Sequence, residues 1–386
     1  MTRVLIAGVS TRGFAESAAR AGYDVVAVDG FGDLDLRARA QAVALARQRT
    51  GRFSTAAAVR AATGLRCDAV CYVASFENHP RAVAALAAEG GGELWGNPPE
   101  VLARVRDPAR VARALAARGF ATPLVRRAPP VGGSQTAWLV KPRASGGGSG
   151  IAPWSGHVAR RVPRGHYLQQ RIAGLPGSIV FAAEGRRAVP LGLSLALVGE
   201  RAFGGGGGGA GFRYCGNILF AAEPQLRAVA SRLAAAVTEE FGLVGVNGID
   251  FVASGGIPYP VEINPRYTAS LELVERAYGL SIFETHARAC AGTLPAFDLA
   301  AAFRTPGAVG KAIVYARRDV TAPDTRAWLE DDSVRDVPVP GAGIARGRPI
   351  CTIFARGEDA AACRRALVAR ARAVYHAVEE RRARIA

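Results

Sequence analysis

Residues 244–270 read VGVNGIDFVASGGIPYPVEINPRYTAS, and this stretch decides the fold. Two short apolar runs flank Ser254, Gly255, Gly256 and Pro258, so a strand to about Phe251 or Val252, a turn, and a second strand from Tyr259 to Ile263 are predicted. Asp250 lies on the first strand. Glu262 and Asn264 are two apart on the second and point to the same face. Two carboxylates and a carboxamide on one face make an all-oxygen donor set. Such a set suits a hard cation, and Mg²⁺ in particular is commonly held by one or two carboxylates plus substrate phosphates. Arg266 follows and offers a planar fork for phosphate oxygens. The plainer alternative is that Asp250 closes a strand and Glu262 and Asn264 serve a turn before Pro265.

The segment upstream weighs against that alternative. Trp138-Leu-Val-Lys141-Pro reads as a short apolar strand carrying a lysine, and Ser145, Gly146, Gly147, Gly148, Ser149 and Gly150 follow almost at once. A loop with so few side chains lets backbone N–H groups approach a polyphosphate closely. It is not a Walker A motif, because the lysine precedes the glycines.

Taken together, V-K-P, the glycine-rich loop, G-I-D-F and V-E-I-N-P-R resemble the ATP-grasp superfamily over roughly residues 100–295. The resemblance implies an α/β ATP-grasp fold with an N-terminal Rossmann-like domain (residues 1–97), an ATP-grasp domain (98–300, with a lid near 135–172) and a small C-terminal α+β domain (301–386). The C-terminal part is similar to the closing domain of the biotin and purine carboxylase branches. By the same resemblance Lys141 contacts ATP phosphates, Ser145 and Gly146 to Gly150 close over them, and Asp250, Glu262 and Asn264 hold Mg²⁺, or Mn²⁺ in its place. The lid hinge, which in the family binds adenine and ribose, falls on Gln169, Gln170, Arg171 and Ile172. Glutamine there replaces the family's carboxylate, which puts the ribose contact in doubt. The family's lysine after an aspartate like Asp107 is replaced by Pro108, with Arg106 and Arg110 the nearest cations.

Composition narrows the class. The 386 residues are enough for two or three domains, and 49% are hydrophobic. No apolar run approaches the ~20 residues of a membrane span, and the chain opens on a strand-like TRVLIAGV, so a cytoplasmic enzyme without a membrane partner is expected. The net charge of +17 raises nucleic acid as a partner. The arginines are scattered without aromatic-interleaved basic blocks, however, which points instead to an anionic small substrate. Lys141 and Lys311 are the only lysines, and a compact ammonium at 141 stands out for that reason. The six cysteines form no C-x-x-C pair and read as reduced, buried thiols; the five histidines show no metal spacing.

In chain order, residues 3–9, a helix to about Arg20 and a strand from Tyr23 to Asp29 give a β-α-β opening. Its glycine spacing is not G-x-G-x-x-G, so it is expected to be scaffold, with a substrate contact from the Ser10–Gly13 turn as the alternative. A helix over 34–49 and a strand over 67–74 are expected to extend it. Prolines and Gly119 punctuate one or two helices over 97–119, and Pro224 to Phe241 is a helix with one apolar face, stopped by Gly242. The run Gly204–Gly209 is either a surface excursion or a mobile substrate loop, with Arg213 to Asn217 placed to line an acceptor pocket. A helix over 270–290 carries His286, expected to be structural, and Lys311 is either a surface lysine or a cleft contact.

The function these features imply is an ATP- and Mg²⁺-dependent carboxylate-amine ligase acting through an acyl phosphate on small-molecule substrates. Homodimers are common in the family. The N-P-R-Y-T-A-S form is similar to that of ligases of one-carbon coenzyme synthesis, such as tyramine-glutamate ligases. Two alternatives stay open: a carboxylase forming carboxyphosphate, disfavoured in its biotin branch because no biotinyl carrier segment is seen, and a non-catalytic nucleotide-binding regulator. A nicotinamide oxidoreductase is disfavoured by the glycine spacing.

Overall fold

The structure is a computed structural model that describes residues 1–45, 53–128, 137–154, 161–206, 211–304 and 307–383. The chain opens with a parallel sheet of β1 (Arg3–Gly8), β2 (Asp24–Asp29), β3 (Gln41–Ala44), β4 (Ala69–Tyr72) and β5 (Glu93–Leu94), in the order β3-β2-β1-β4-β5. Both faces of β1 and β4 are buried, which explains their unbroken apolar runs. The helices α1 (Arg12–Arg20), α2 (Leu34–Arg37), α3 (Thr55–Ala62) and α4 (Pro80–Gly90) accompany it. The helix expected over 34–49 is thus a single turn, and Gln41–Ala44 is drawn into the sheet beside β2. The rest of that stretch, from residue 46, lies outside the described residues.

Two helices follow, α5 (Pro99–Val105) and α6 (Pro108–Ala117), each opened by proline. A small antiparallel sheet then forms from β6 (Val125–Arg126), β7 (Trp138–Pro142), β8 (Ala152–Pro153) and β9 (His166–Gln170), in the order β6-β9-β7-β8.

The largest sheet has eight strands, ordered β14-β13-β10-β11-β12-β15-β19-β17. They are β10 (Leu175–Glu184), β11 (Ala188–Val198), β12 (Tyr214–Leu219), β13 (Val244–Ser254), β14 (Ile257–Asn264), β15 (Ala308–Tyr315), β17 (Val334–Arg335) and β19 (Pro349–Gly357). A two-stranded pair, β16 (Val320–Thr321) and β18 (Gly343–Ile344), lies apart from it. Alternation along β10 assigns the faces. Ile179 and Phe181 join the cluster of α7 (Pro224–Phe241). Val180 and Ala182 join that of α8 (Leu271–Tyr278) and α9 (Ile282–Cys290).

The single helix expected over 270–290 is two, because Gly279 adopts φ +69° and ends α8. The short α10 (Leu299–Ala302) precedes the C-terminal strands, which extend the central sheet, and α11 (Ala360–Ala383) packs beside β15 and β19. Among the described residues no helix is long and apolar enough to cross a membrane. The six cysteines are free thiols, all buried except the half-buried Cys290.

Candidate active site

β13 and β14 pair as an antiparallel hairpin in which Asp250 stands directly opposite Glu262 and Gly248 opposite Asn264. The strands run two or three residues further toward the turn than their apolar cores suggest, to Ser254 on one side and from Ile257 on the other, because the turn is confined to Gly255 and Gly256. Asn264 donates Nδ2–H to Asp250 at 2.9 Å. Burial, and next the neighbouring charge of Glu262, push the Asp250 carboxyl up to about 6, against the opposing hydrogen bonds of Asn264 and Ser178. Glu262 is held the other way: burial opposes its charge, yet Arg106 and then Lys141 keep its carboxyl below the usual glutamate range.

Two like-charged carboxylates facing each other across a ladder, with a carboxamide oxygen two pairs along on the same face, are a donor set that a hard cation fits. Among the described residues no group of three or more His, Cys, Asp or Glu side chains is placed to hold a metal ion. A third protein ligand would therefore have to be the Asn264 oxygen, which here accepts from Arg266 Nη2 at 3.3 Å.

A cleft of about 670 Å³, counting its open mouth, lies between the β6–β9 sheet and the body of the molecule. Lys141, Gln169, Glu262, Ser145, Gly146 and Gly148 all line it, with an apolar wall from α5 and α6 that includes Val105, Val111 and Leu115. Lys141 on β7 is 7% exposed and donates to Gln169 Oε1 at 3.0 Å. Its neighbours on the strand are apolar, so the ammonium projects from a desolvated base toward the Glu262 side. Gln169 is not the exposed strand residue that was one reading of it: at 3% exposure it accepts from Lys141 and donates to the Val261 carbonyl at 3.2 Å.

The other hinge residues stand differently. Gln170 accepts from the Leu124 N–H at 3.1 Å, Arg171 is exposed with its N–H given to Ala137, and Ile172 is half-buried, so of the four Gln169 alone lines the cleft.

The glycine-rich loop is fastened at two points. Gly147 accepts the Tyr214 N–H at 3.0 Å, and Ser145 accepts Asn78 Nδ2–H at 3.2 Å. Gly147, Gly148 and Gly150 have φ of +61°, +75° and +75°, and a Cβ on Gly148 would sit 1.7 Å from the Phe212 carbonyl oxygen. Glycine is thus required there by backbone and by space. Ser149 and Gly150 are exposed at the far end of the loop.

Two contributors escaped sequence reasoning and a third, Arg106, was named only loosely. Arg106, a loose candidate beside Arg110, forms an ion pair with Glu262 at 2.7 Å and donates to the Ile263 carbonyl, while Arg110 is exposed. Asn78 accepts from Arg106 at 2.8 Å, and Glu77 pairs with Arg266 at 2.7 Å. Both lie in the turn after β4. The Ser10–Gly13 turn is engaged otherwise: Thr11 caps Asp29 through its N–H and hydroxyl, and Arg12 is buried among carboxylates. A lone Glu-Asn pair in a sequence carries no signal that could have flagged Glu77 and Asn78.

The fold is the α/β ATP-grasp fold. The ATP-grasp domain family model matches residues 105–270, so that stretch of the chain is an ATP-grasp domain. An uncharacterized protein of Methanocaldococcus jannaschii is 29% identical over 120 residues, which are 31% of this chain and 28% of that protein. Among solved structures, Rhizobium etli pyruvate carboxylase superposes with a TM-score of 0.70 at 13% identity, covering 93% of this chain and 36% of that one. This chain therefore spans only about a third of both proteins' length or less. An L-amino acid ligase from Bacillus licheniformis matches with TM-score 0.68 at 16% identity over 95% and 96% of the two chains. N5-carboxyaminoimidazole synthetase from Staphylococcus aureus, complexed with ADP, matches with TM-score 0.67 at 16% identity over 96% and 97%. At these identities the likeness is one of fold.

Proposed function

We propose that the protein is an ATP-dependent carboxylate-amine ligase that activates a small carboxylate as its acyl phosphate. The observation that carries this reading is the meeting, across one cleft, of Lys141 and the glycine-rich loop on one side with Glu262 on the other, Asp250 standing opposite Glu262 on the ladder. In this reading the N–H groups of Gly146 to Gly150 and the Lys141 ammonium cradle the ATP phosphates. Asp250, Glu262 and the Asn264 oxygen would hold Mg²⁺, which would supply charge neutralisation for the polyphosphate. Arg266 faces the transferred phosphoryl group. The substrate carboxylate oxygen attacks the γ-phosphorus, the bond to the β,γ-bridging oxygen breaks, and ADP leaves; the amine then adds to the acyl carbon, loses a proton and expels phosphate. Such chemistry asks mainly for positioning and charge neutralisation, which fits a site without a protein nucleophile. Gln169 and the apolar wall from α5 and α6 offer the adenine end of the cleft.

Trapping with hydroxylamine tests this reading. Incubation with MgATP, hydroxylamine and a panel of amino and dicarboxylic acids, glutamate with tyramine among the pairs, is expected to give ADP and a hydroxamate for one carboxylate. ADP formation that depends on bicarbonate instead would move the assignment to carboxyphosphate formation.

A further inference from the structure

The turn after β4 places a carboxylate where the proposed chemistry does not need one as a ligand. Glu77 is 1% exposed, and its Oε1 lies 2.7 Å from Arg266 Nη2. Neither carboxylate oxygen receives a well-formed hydrogen bond among the described residues, so the contact is a charge pair whose geometry is off the donor axis. A buried carboxylate is costly and persists only when a cation is held against it. An apolar side chain would fill the same space more cheaply if filling space were the whole task.

Arg266 has another acidic destination within reach. It sits two residues from Asn264, already donates to the Asn264 oxygen at 3.3 Å, and its charge acts on both Asp250 and Glu262. Its second nitrogen is committed to the Tyr267 carbonyl at 2.9 Å. The Arg106 guanidinium is restrained by the same turn, through Asn78 at 2.8 Å. The β4 turn thus grips both arginines that border the acidic pair.

We propose that Glu77 is a positioning residue: it holds the Arg266 guanidinium away from Asp250 and Glu262, leaving those carboxylates to a divalent cation and the guanidinium to a phosphate. This rests on the ligase reading. Without Glu77, Arg266 falls onto the acidic pair and competes with the cation for it.

The test is a double-mutant cycle read by calorimetric ATP titration at varied Mg²⁺, alongside turnover, on the wild type, Glu77→Gln, Arg266→Ala and the double variant. Glu77→Gln is expected to raise the Mg²⁺ needed for half-maximal ATP binding about tenfold, the scale for a residue that orients a ligand set. Added to Arg266→Ala, it should raise that requirement no further, since the competing cation is gone. Glu77→Asp should recover part of the loss, and it replaces Glu77→Gln should the latter fail to fold. A Glu77→Gln protein with the wild-type Mg²⁺ requirement, or effects that multiply in the double variant, overturns the proposal. A wild type that binds no MgATP overturns the ligase reading and this proposal together, so the two failures are told apart by the wild-type arm.

Discussion

His286 accepts the Val246 N–H at its Nδ1 at 3.0 Å and donates from Nε2 to the Trp95 carbonyl at 3.1 Å, joining α9 to β13 and to the segment after β5. Gly245, at φ +69°, leaves the ring room, since a Cβ there would meet it at 2.5 Å. Burial holds the imidazole neutral and lowers its pKa from 6.5 to about 4. The sign follows: below pH 6.5 the unfolded chain takes up a proton that the native chain refuses, so this contribution is full above 6.5 and fades as pH falls to about 4. That interval is worth on the order of 3 kcal/mol at about 1.4 kcal/mol per pH unit. His286→Gln should be less stable than the wild type at pH 7 and lose less between pH 6.5 and 4; denaturant midpoints across pH report it, and parallel curves would refute the linkage.

The structural part expected of this histidine is the one these two hydrogen bonds give it. Lys311 was not legible. On a strand among Gly, Ala and Ile it reads equally as surface or cleft, and only the fold shows it buried against Glu272 at 2.6 Å.

The glycine-rich loop has its fastening to Tyr214 and Asn78 as its chief structural property, and both contacts are long-range. The sequence displays the loop but not what it is fastened to. Gly148→Ala forces the Phe212 backbone to give way, so ATP affinity should fall at least tenfold, together with a drop in melting temperature from the strained positive φ. Unchanged affinity in a binding titration would mean the loop stays away from the nucleotide.

Other elements divide along the same physical line. The α7 helix matches its expected bounds, because Pro224 and Gly242 are local stop signals and its apolar face is a local period. The helix over 270–290 broke at Gly279, which sequence shows as a single tolerable glycine. The expected helix after Leu34 gave way to β3, a choice made by the neighbouring strand β2. Of the glycine run, residues 207–209 lie outside the described residues, so its reading as a substrate loop stays with sequence.

Across the whole molecule, a buried ion cluster joins three parts of the chain. Glu272 on α8 pairs with Arg12 of α1 and with Lys311 of β15, and Arg12 reaches Asp336 at 2.9 Å. Burial opposes the Glu272 charge, but Arg12 and then Lys311 hold its carboxyl far below the usual range. Glu272→Ala takes from buried Lys311 its ion-pair partner and from Arg12 one of several carboxylates, and a loss of about 3 kcal/mol is expected from denaturant unfolding. A loss under 1 kcal/mol would show that the cluster is replaceable. None of this cluster is legible in sequence, since its members lie up to 324 positions apart, as Arg12 and Asp336 do. The Asp250, Glu262 and Asn264 set was legible because period-two alternation and a glycine turn place it within one hairpin.

The most direct test of the proposed ligase chemistry is substrate-dependent ADP formation at saturating Mg²⁺ by the wild type and by Glu262→Gln. Glutamine keeps the size and hydrogen bonding of Glu262 but removes a charge from the donor set, so turnover should fall by at least about a hundredfold while the melting temperature holds. Wild-type turnover in Glu262→Gln would contradict the metal assignment and the phosphoryl-transfer mechanism built on it.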